Sequence, residues 1–408
     1  MCRPAVLMCQ WFAPTSIRLT FETEGKGKLS QEMIEQVAER DESGNVVSLK
    51  LPNRFILTAN HQVCNVLLIP ALVVRRPQIY ADWWYMWCLM YFIGAHRFVY
   101  ITLKKSLQWV PIVGWVQPFH SFNASSQAPQ GMQFFDFIFL ARSWASDKHV
   151  LASRLNTLGE AAKRENSPLC FIIYPEGTLV SKDTRPISKK FADKTGIVSN
   201  KDCLKLVSDL SPQSDMTNIL LPRSLGLHYS LRSLAPSIPD LSLLDITIIY
   251  PGIHCLFSTL RGLSDDSGGI PPLGYGQNYY TLRSIFFDGI APPVIHMHLR
   301  LFKVTTDVPL GNLSVTHTNG NGHGVATHLV PEVDIPPAER IIFDEWLREL
   351  WKEKDEFITK HLNSGHAGNR SIDIPLKLRR KREYLDAFCS FLPAAGVYTW
   401  RWLTQWLY

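Results

Sequence analysis

An imidazole directly after a side-chain amide, Asn60-His61, closes the apolar run Arg54-Phe-Ile-Leu-Thr-Ala. A histidine so placed can take the proton from a hydroxyl, provided that a carboxylate holds its ring in one tautomer. That pair of groups suits the transfer of an acyl group from a thioester to an alcohol. Taken alone, an Asn-His at a strand end is more often structural, so the rest of the chain has to supply the company. Tyr174-Pro-Glu-Gly-Thr178 follows a second apolar run and offers a carboxylate, Glu176, a permissive backbone, Gly177, and a hydroxyl, Thr178. Strand ends are where the sites of α/β proteins gather. Arg142 closes Phe139-Leu-Ala-Arg142 and has the chemistry of a phosphate anchor. Leu221-Pro-Arg-Ser-Leu-Gly226 ends a further apolar stretch in a Pro and Gly turn. His296-Met-His298 would put two imidazoles on one side of an alternating strand. No third ligand accompanies them, so the chain is read as holding no metal.

These groups need elements to hold them. Arg54–Ala59 and Leu169–Tyr174 read as short buried strands, Leu244–Tyr250 and Val294–Arg300 as further strands. Leu151–Arg164 reads as a helix, and strands alternating with helices argue an α/β domain. Gln31–Arg40 reads as helical, stopped by the turn Asp41-Glu-Ser-Gly-Asn. The aromatic stretch Trp83–Leu103 is interrupted by Gly94, His96 and Arg97, which predicts a helix plus a strand lying at a membrane interface. Phe343–His361 is predicted as a charged amphipathic helix. The basic run Lys377-Leu-Arg-Arg-Lys-Arg382 precedes a last apolar segment, 384–408, that ends in Trp400, Trp402, Trp406 and Tyr408. That order predicts a C-terminal anchor with the basic run on the cytosolic side, and an amphipathic helix packed on the domain is the competing reading.

Composition limits the function classes. The 408 residues are 46% hydrophobic and 19% charged, with Trp 12, Tyr 13 and Phe 21, a mixture suited to resting on a bilayer as well as to an aromatic-rich soluble enzyme. The net charge of +6 is too small to argue for nucleic acid. Eight cysteines without a CxxC pair read as reduced and mostly buried, and no secretory signal opens the chain.

The ordered set Asn60-His61, Phe139–Arg142, Tyr174–Thr178 and Pro222–Gly226 resembles the four blocks of the glycerolipid acyltransferases, the lysophosphatidic acid acyltransferase type. Stretches such as Ile79-Tyr-Ala-Asp-Trp-Trp-Tyr and Tyr275-Gly-Gln-Asn-Tyr-Tyr are similar to the fungal branch related to lysocardiolipin and lysophosphatidylinositol acyltransferases. The resemblance implies His61 as general base and an aspartate that orients it. It also implies an acceptor and phosphate site shaped by Glu176, Gly177 and Thr178, with Arg142, Pro222 and Gly226 as further substrate-binding residues. It implies acyl-CoA as co-substrate, direct attack on the thioester, and neither cofactor, metal nor acyl-enzyme. Asp136 stands where many members carry a glycine, which puts any detailed role of that turn in doubt.

The family spacing from histidine to aspartate is broken here, since His61 is followed by Gln62-Val-Cys-Asn-Val66 without an acid. Removing residues 63–78 restores it and places Asp82 at the family position. Removing 116–130, 198–213 and 253–269 restores continuity at three other places. Three of the four segments begin with Val and end with Gln, residues that a GT…CAG intron supplies when read in phase zero. The fourth fits a phase-one intron. Four retained introns are therefore expected, and a mature transcript that carries all four segments would make them genuine loops. If the segments are present, they should be irregular excursions from a native-like fold, with the His61–Asp82 dyad strained or separated and activity below that of an insert-free chain.

The resulting expectation is an α/β glycerolipid acyltransferase-type domain with a membrane-facing aromatic surface and a C-terminal hydrophobic helix. It divides into an N-terminal membrane-proximal segment, 1–50, an acyltransferase domain, 51–310, a flexible linker, 311–335, a helical and basic region, 336–383, and an anchor, 384–408. Its partners would be acyl-CoA, a lysophospholipid of the 1-acylglycerol-3-phosphate or lysophosphatidylinositol type, and the bilayer of the endoplasmic reticulum, with the active site toward the cytosol. The alternative is a catalytically impaired lipid-binding relative or mis-spliced product with a split His-Asp motif. An α/β hydrolase is disfavoured because no G-x-S-x-G elbow is present.

Overall fold

The computed structural model describes residues 2–61, 81–105, 138–141, 143–181, 184–194, 216–251, 280–313, 316–317, 332–333, 335–364, 370–389 and 396. The four segments expected to be insertions, and Arg142, lie outside the described residues, as does most of 384–408.

The strands are β1 (Ser16–Phe21), β2 (Ala38–Arg40), β3 (Val46–Leu49), β4 (Arg54–Ala59), β5 (Val99–Lys104), β6 (Ile138–Leu140), β7 (Leu169–Ile173), β8 (Ser242–Ile249), β9 (Val294–Lys303), β10 (Thr316–His317), β11 (Glu332–Val333) and β12 (Ser371–Pro375). The helices are α1 (Cys2–Phe12), α2 (Gln31–Gln36), α3 (Ala81–Ile93), α4 (Trp144–Glu165), α5 (Thr184–Lys194), α6 (Ser224–Leu234), α7 (Leu282–Phe286), α8 (Pro337–Ser364) and α9 (Lys381–Cys389). Eight strands form one sheet in the order β12-β1-β9-β8-β4-β7-β5-β6. From β8 to β6 every neighbour is parallel, β9 runs antiparallel to β8, and β12 runs antiparallel to β1.

β7 and β8 are buried at every position, and β4 at all but its first. Continuous apolar runs of this kind suit parallel strands covered on both faces. One face carries α1, α3, α7 and α9, packed on Phe55, Leu57, Cys170, Ile172, Leu244 and Ile246. The other carries α4, α6 and α8, packed on Ile56, Phe171, Leu243 and Phe302. α4 stops at Asn166, which adopts a left-handed φ of 48° and donates its N–H to the last helical carbonyls, a conformation that Asn tolerates. Cys9, Cys88 and Cys170 are buried and unoxidised.

Several expectations change. The helix expected over Gln31–Arg40 ends at Gln36, and Ala38–Arg40 pairs with β3 around the Asp41 turn. Asp41 Oδ1 accepts the N–H groups of Ser43 and Asn45, an arrangement that competes with further helix. The aromatic stretch after residue 80 does form a helix and then a strand, but α3 is core. Eleven of its residues are buried, Tyr85, Met86, Cys88, Leu89, Met90 and Tyr91 completely. A helix that is apolar all round is a buried one. The sheet also crosses the expected domain boundaries, because β1 comes from the first 50 residues and β12 from the region after residue 335. The start of the expected linker is tied down, with Arg232 donating to the carbonyls of Leu310 and Asn312. No helix among the described residues is long and apolar enough to cross a membrane.

Candidate active site

β4, β7 and β8 are parallel neighbours, so their C-terminal ends open on one edge of the sheet. Asn60 locks two of these ends together. Its side chain donates to the carbonyl of Ile248 at 3.0 Å and accepts the N–H of the same residue at 2.7 Å. An amide carries its donor and acceptor on separate atoms and so can return both bonds of a strand neighbour. His61 is thereby aimed out of the sheet on the face covered by α3.

Asp82 lies in the first turn of α3, where the helix dipole favours a carboxylate. Its Oδ2 is 2.6 Å from His61 Nδ1. The expected strained or separated dyad is thus corrected, because residues 61 and 82 meet at hydrogen-bond distance across the intervening segment. Asp82 is fully buried, and the His61 side chain retains 13% exposure. With Nδ1–H donated to the carboxylate, the basic lone pair of the ring sits on Nε2. The Tyr174 ring stacks on the imidazole at 4.4 Å. Tyr250, immediately after β8, donates to Asp82 Oδ1 at 2.8 Å.

The backbone of His61 is held as firmly as its ring. Its carbonyl accepts the N–H of Val180 at 3.2 Å, and its N–H donates to Glu176 Oε1 at 3.3 Å. Glu176 Oε2 accepts the N–H of Leu220 at 3.4 Å. Glu176 is therefore an inward brace between two loops. Burial pushes its carboxyl up to about 8 against the pull of those N–H groups and of Lys354. The turn that allows this needs Gly177, which has a φ of 66° and returns its N–H to the carbonyl of Tyr174. Gly177 is exposed and Thr178 half-buried, and both lie between Glu176 and Val180, which bond the His61 backbone.

Pro222 is buried and precedes α6, and Gly226 lies in the first turn of that helix. A Cβ on Gly226 would sit 3.3 Å from Ile173, so β7 and α6 approach closely there. The N–H of Arg223 bonds the carbonyl of Pro175 at 2.7 Å and joins the two loops. The structure thus brings His61, Asp82, Glu176, Gly177, Thr178, Pro222 and Gly226 to one sheet edge, while Arg142 is outside the described residues. Sequence reading missed Tyr250. The available signal was its position at the end of a buried strand, in phase with Leu244, Ile246 and Ile248, which face α3. His296 and His298 do share a side of β9, but His298 is occupied by Thr20 and Glu22, and His296 packs against His361. Among the described residues no group of three or more His, Cys, Asp and Glu is placed to hold a metal ion.

Comparison with known proteins gives this geometry a family. The Acyltransferase family profile matches residues 49–201, a span that contains His61, Asp82 and Glu176. The 2-acyl-1-lysophosphatidylinositol acyltransferase of Saccharomyces cerevisiae is 30% identical over 344 residues, covering 76% of this chain and 67% of the relative. An uncharacterised acyltransferase of Schizosaccharomyces pombe is 26% identical over 382 residues, covering 93% of this chain and 78% of the relative. Lysocardiolipin acyltransferase 1 of Danio rerio is 24% identical over 241 residues, covering 59% of this chain and 46% of the relative. No solved structure matches the chain. The extent of the match to the budding-yeast relative, together with the family profile over the histidine–aspartate edge, shows that the chain belongs to the glycerolipid acyltransferase family and is an enzyme that transfers acyl groups.

Proposed function

We propose that the chain moves a fatty acyl group from acyl-CoA to the hydroxyl of an anionic lysophospholipid, of the 1-acylglycerol-3-phosphate or lysophosphatidylinositol type. The observation that carries this reading is the closed His61–Asp82 pair at 2.6 Å, with the backbone of His61 held on both sides. His61 Nε2 takes the proton of the acceptor hydroxyl as its oxygen attacks the thioester carbonyl. The C–S bond breaks, and the CoA thiolate leaves with the proton returned by the imidazolium. Asp82 keeps the ring in the tautomer that accepts at Nε2 and stabilises the cation that forms. No metal and no acyl-enzyme enter this sequence. Gly177 and Thr178, next to His61, would contact the acceptor, Arg142 its phosphate, and Pro222 and Gly226 would shape the wall of the site.

We place the enzyme on a membrane, that of the endoplasmic reticulum with the site toward the cytosol. Trp11 and Phe12 on α1 and Leu385 and Phe388 on α9 are exposed, and Trp11 lies 5.6 Å from Phe388. α1 leads into β1 at the sheet edge that carries His61. Exposed aromatics beside the exposed Lys377, Arg380, Lys381 and Arg382 suit an anionic lipid surface.

The test is one preparation of the full chain, given acyl-CoA and vesicles that carry lysophosphatidate, lysophosphatidylinositol, lysocardiolipin or lysophosphatidylcholine, with products read by mass spectrometry. Acylation of an anionic member by vesicle-bound enzyme is the expected result. Release of fatty acid with no acylated acceptor in any vesicle would overturn the reading.

A further inference from the structure

We infer that Tyr250 is a positioning residue of the acyl-transfer site, holding Asp82 by the carboxylate oxygen that His61 does not use. The inference rests on the proposed role of the His61–Asp82 pair and extends it by a third member. Asp82 Oδ1 accepts the Tyr250 hydroxyl at 2.8 Å, and Oδ2 lies 2.6 Å from His61 Nδ1. One bond to each oxygen fixes the carboxylate plane, and with it the direction in which the imidazole presents Nε2. The bond from Tyr250 restrains rotation of the carboxylate about its last torsion, and small misplacements of a catalytic pair are costly.

The placement of Tyr250 is itself built in. β8 pairs with β4 in parallel, and Asn60 clamps the backbone of Ile248, so the register that aims His61 also aims Tyr250. The Tyr250 ring stacks on Tyr280 at 5.5 Å and packs near Tyr85 at 6.2 Å. Tyr280 in turn donates to the carbonyl of Pro251, the residue after Tyr250. Complete burial pushes the Tyr250 phenol well above its ordinary range, so it remains a neutral donor throughout the working pH of the enzyme. Among the described residues, the titratable groups facing the pair are Tyr174 from the end of β7, Glu176 from the turn that follows, Tyr85 from α3, and Tyr250 and Tyr280. Tyr85 and Tyr174 are pushed up by burial as well. None of the three buried phenols adds a competing charge.

A buried tyrosine that merely fills space and satisfies its hydroxyl would have the same geometry, so the test has to read the dyad. In Tyr250→Phe the carboxylate loses a donor, becomes more basic and stabilises the imidazolium more. The acid limb of kcat/KM then moves to higher pH. We expect kcat to fall about tenfold, the worth of one charge-assisted hydrogen bond, with KM unchanged because the phenol lies behind Asp82. In an Asp82→Asn background the same change should cost under about twofold, since the effect travels through the carboxylate. Site-specific replacement of Tyr250 by 3-fluorotyrosine keeps the ring and strengthens the donor, so the acid limb should move to lower pH.

Folded Tyr250→Phe with the wild-type kcat and acid limb would overturn the inference. So would an equal loss in both backgrounds, which would mean that Tyr250 does not act through Asp82. Where Tyr250→Phe fails to fold, the fluorinated protein decides, and an acid limb that stays in place or rises overturns the inference. His61→Ala run alongside separates the two levels. If it retains wild-type transfer, the dyad reading itself fails, whereas a dead His61→Ala with an unaffected Tyr250→Phe rejects only the third member.

Discussion

We expect His61→Ala and Asp82→Ala each to lower acyl transfer by about 10³-fold, and the double variant to be no worse than the more damaged single one. In the proposed mechanism the base and its orienter act as one unit. Without Nε2 in place there is no proton acceptor for Asp82 to orient, and without Asp82 the ring is neither held nor stabilised as a cation. Folding should survive both changes, because the side chain of His61 lies beyond the last residue of β4 and contributes nothing to the two apolar cores. The two variants should still differ in stability. Asp82→Ala strands the buried hydroxyl of Tyr250, at a cost of about 1–3 kcal/mol, whereas Asp82→Asn leaves an oxygen to accept it. Kinetics on purified folded variants check this. A double variant far below either single one would mean that His61 and Asp82 contribute independently, contrary to the geometry.

The largest stability loss is expected at the opposite face of the sheet, at Lys354. This lysine lies on α8, where the sequence predicts a charged amphipathic helix over Phe343–His361, yet Lys354 and Asp245 are both completely buried. Its Nζ lies 2.6 Å from Asp245 Oδ1, donates to the carbonyl of Ile246 at 3.0 Å, and sits 4.4 Å from the centre of the Trp351 ring. Burial pulls the ammonium below its usual range, and the Asp245 charge works against that pull. Thr58, two residues before Asn60, donates to the same carboxylate at 3.0 Å. Asp355, the next residue of α8, accepts the N–H groups of Thr217 and Asn218 and so anchors the loop that runs to Leu220.

Lys354→Met leaves Asp245 a buried charge without the ammonium bonded to it, and we expect a loss of about 3–5 kcal/mol in a denaturant titration. The double variant Lys354→Met/Asp245→Leu removes both charges and should recover most of that loss. Activity should follow stability, because Thr58 and the 217–220 loop support the backbone of His61 and the brace at Glu176. A single variant within about 1 kcal/mol of wild type, or a double variant as unstable as the single, would contradict the role assigned to this pair.

How much of this could be read from the sequence follows from which signals are local. The strands ending at Asn60, at Tyr174 and beside Tyr250 were legible because they are unbroken apolar runs bounded by polar turns. The pairing of His61 with Asp82 was legible only after residues 63–78 were set aside, and its integrity was not. Whether two chain ends meet across a long connection depends on the elements flanking it, here β4 and α3, rather than on the connection. α3 was legible as a helix but not as core, because an aromatic run looks the same against lipid and against protein. β1 and β12 are short and amphipathic, and only their partners make them strands of the main sheet. Tyr250 and Lys354 carry no local pattern at all. Their significance comes from neighbours distant in sequence, at Asp82 and at Asp245.

In the proposed reaction His61 activates the acceptor hydroxyl for direct attack on the thioester. Rapid-quench measurement of CoA release, with wild-type enzyme in excess of acyl-CoA and with or without lysophospholipid, tests it most directly. We expect no burst of CoA until the acceptor is added, then CoA and acylated lipid appearing at equal rates, with both lost in His61→Ala. A stoichiometric burst of CoA without acceptor, leaving the acyl group on the protein, would contradict it.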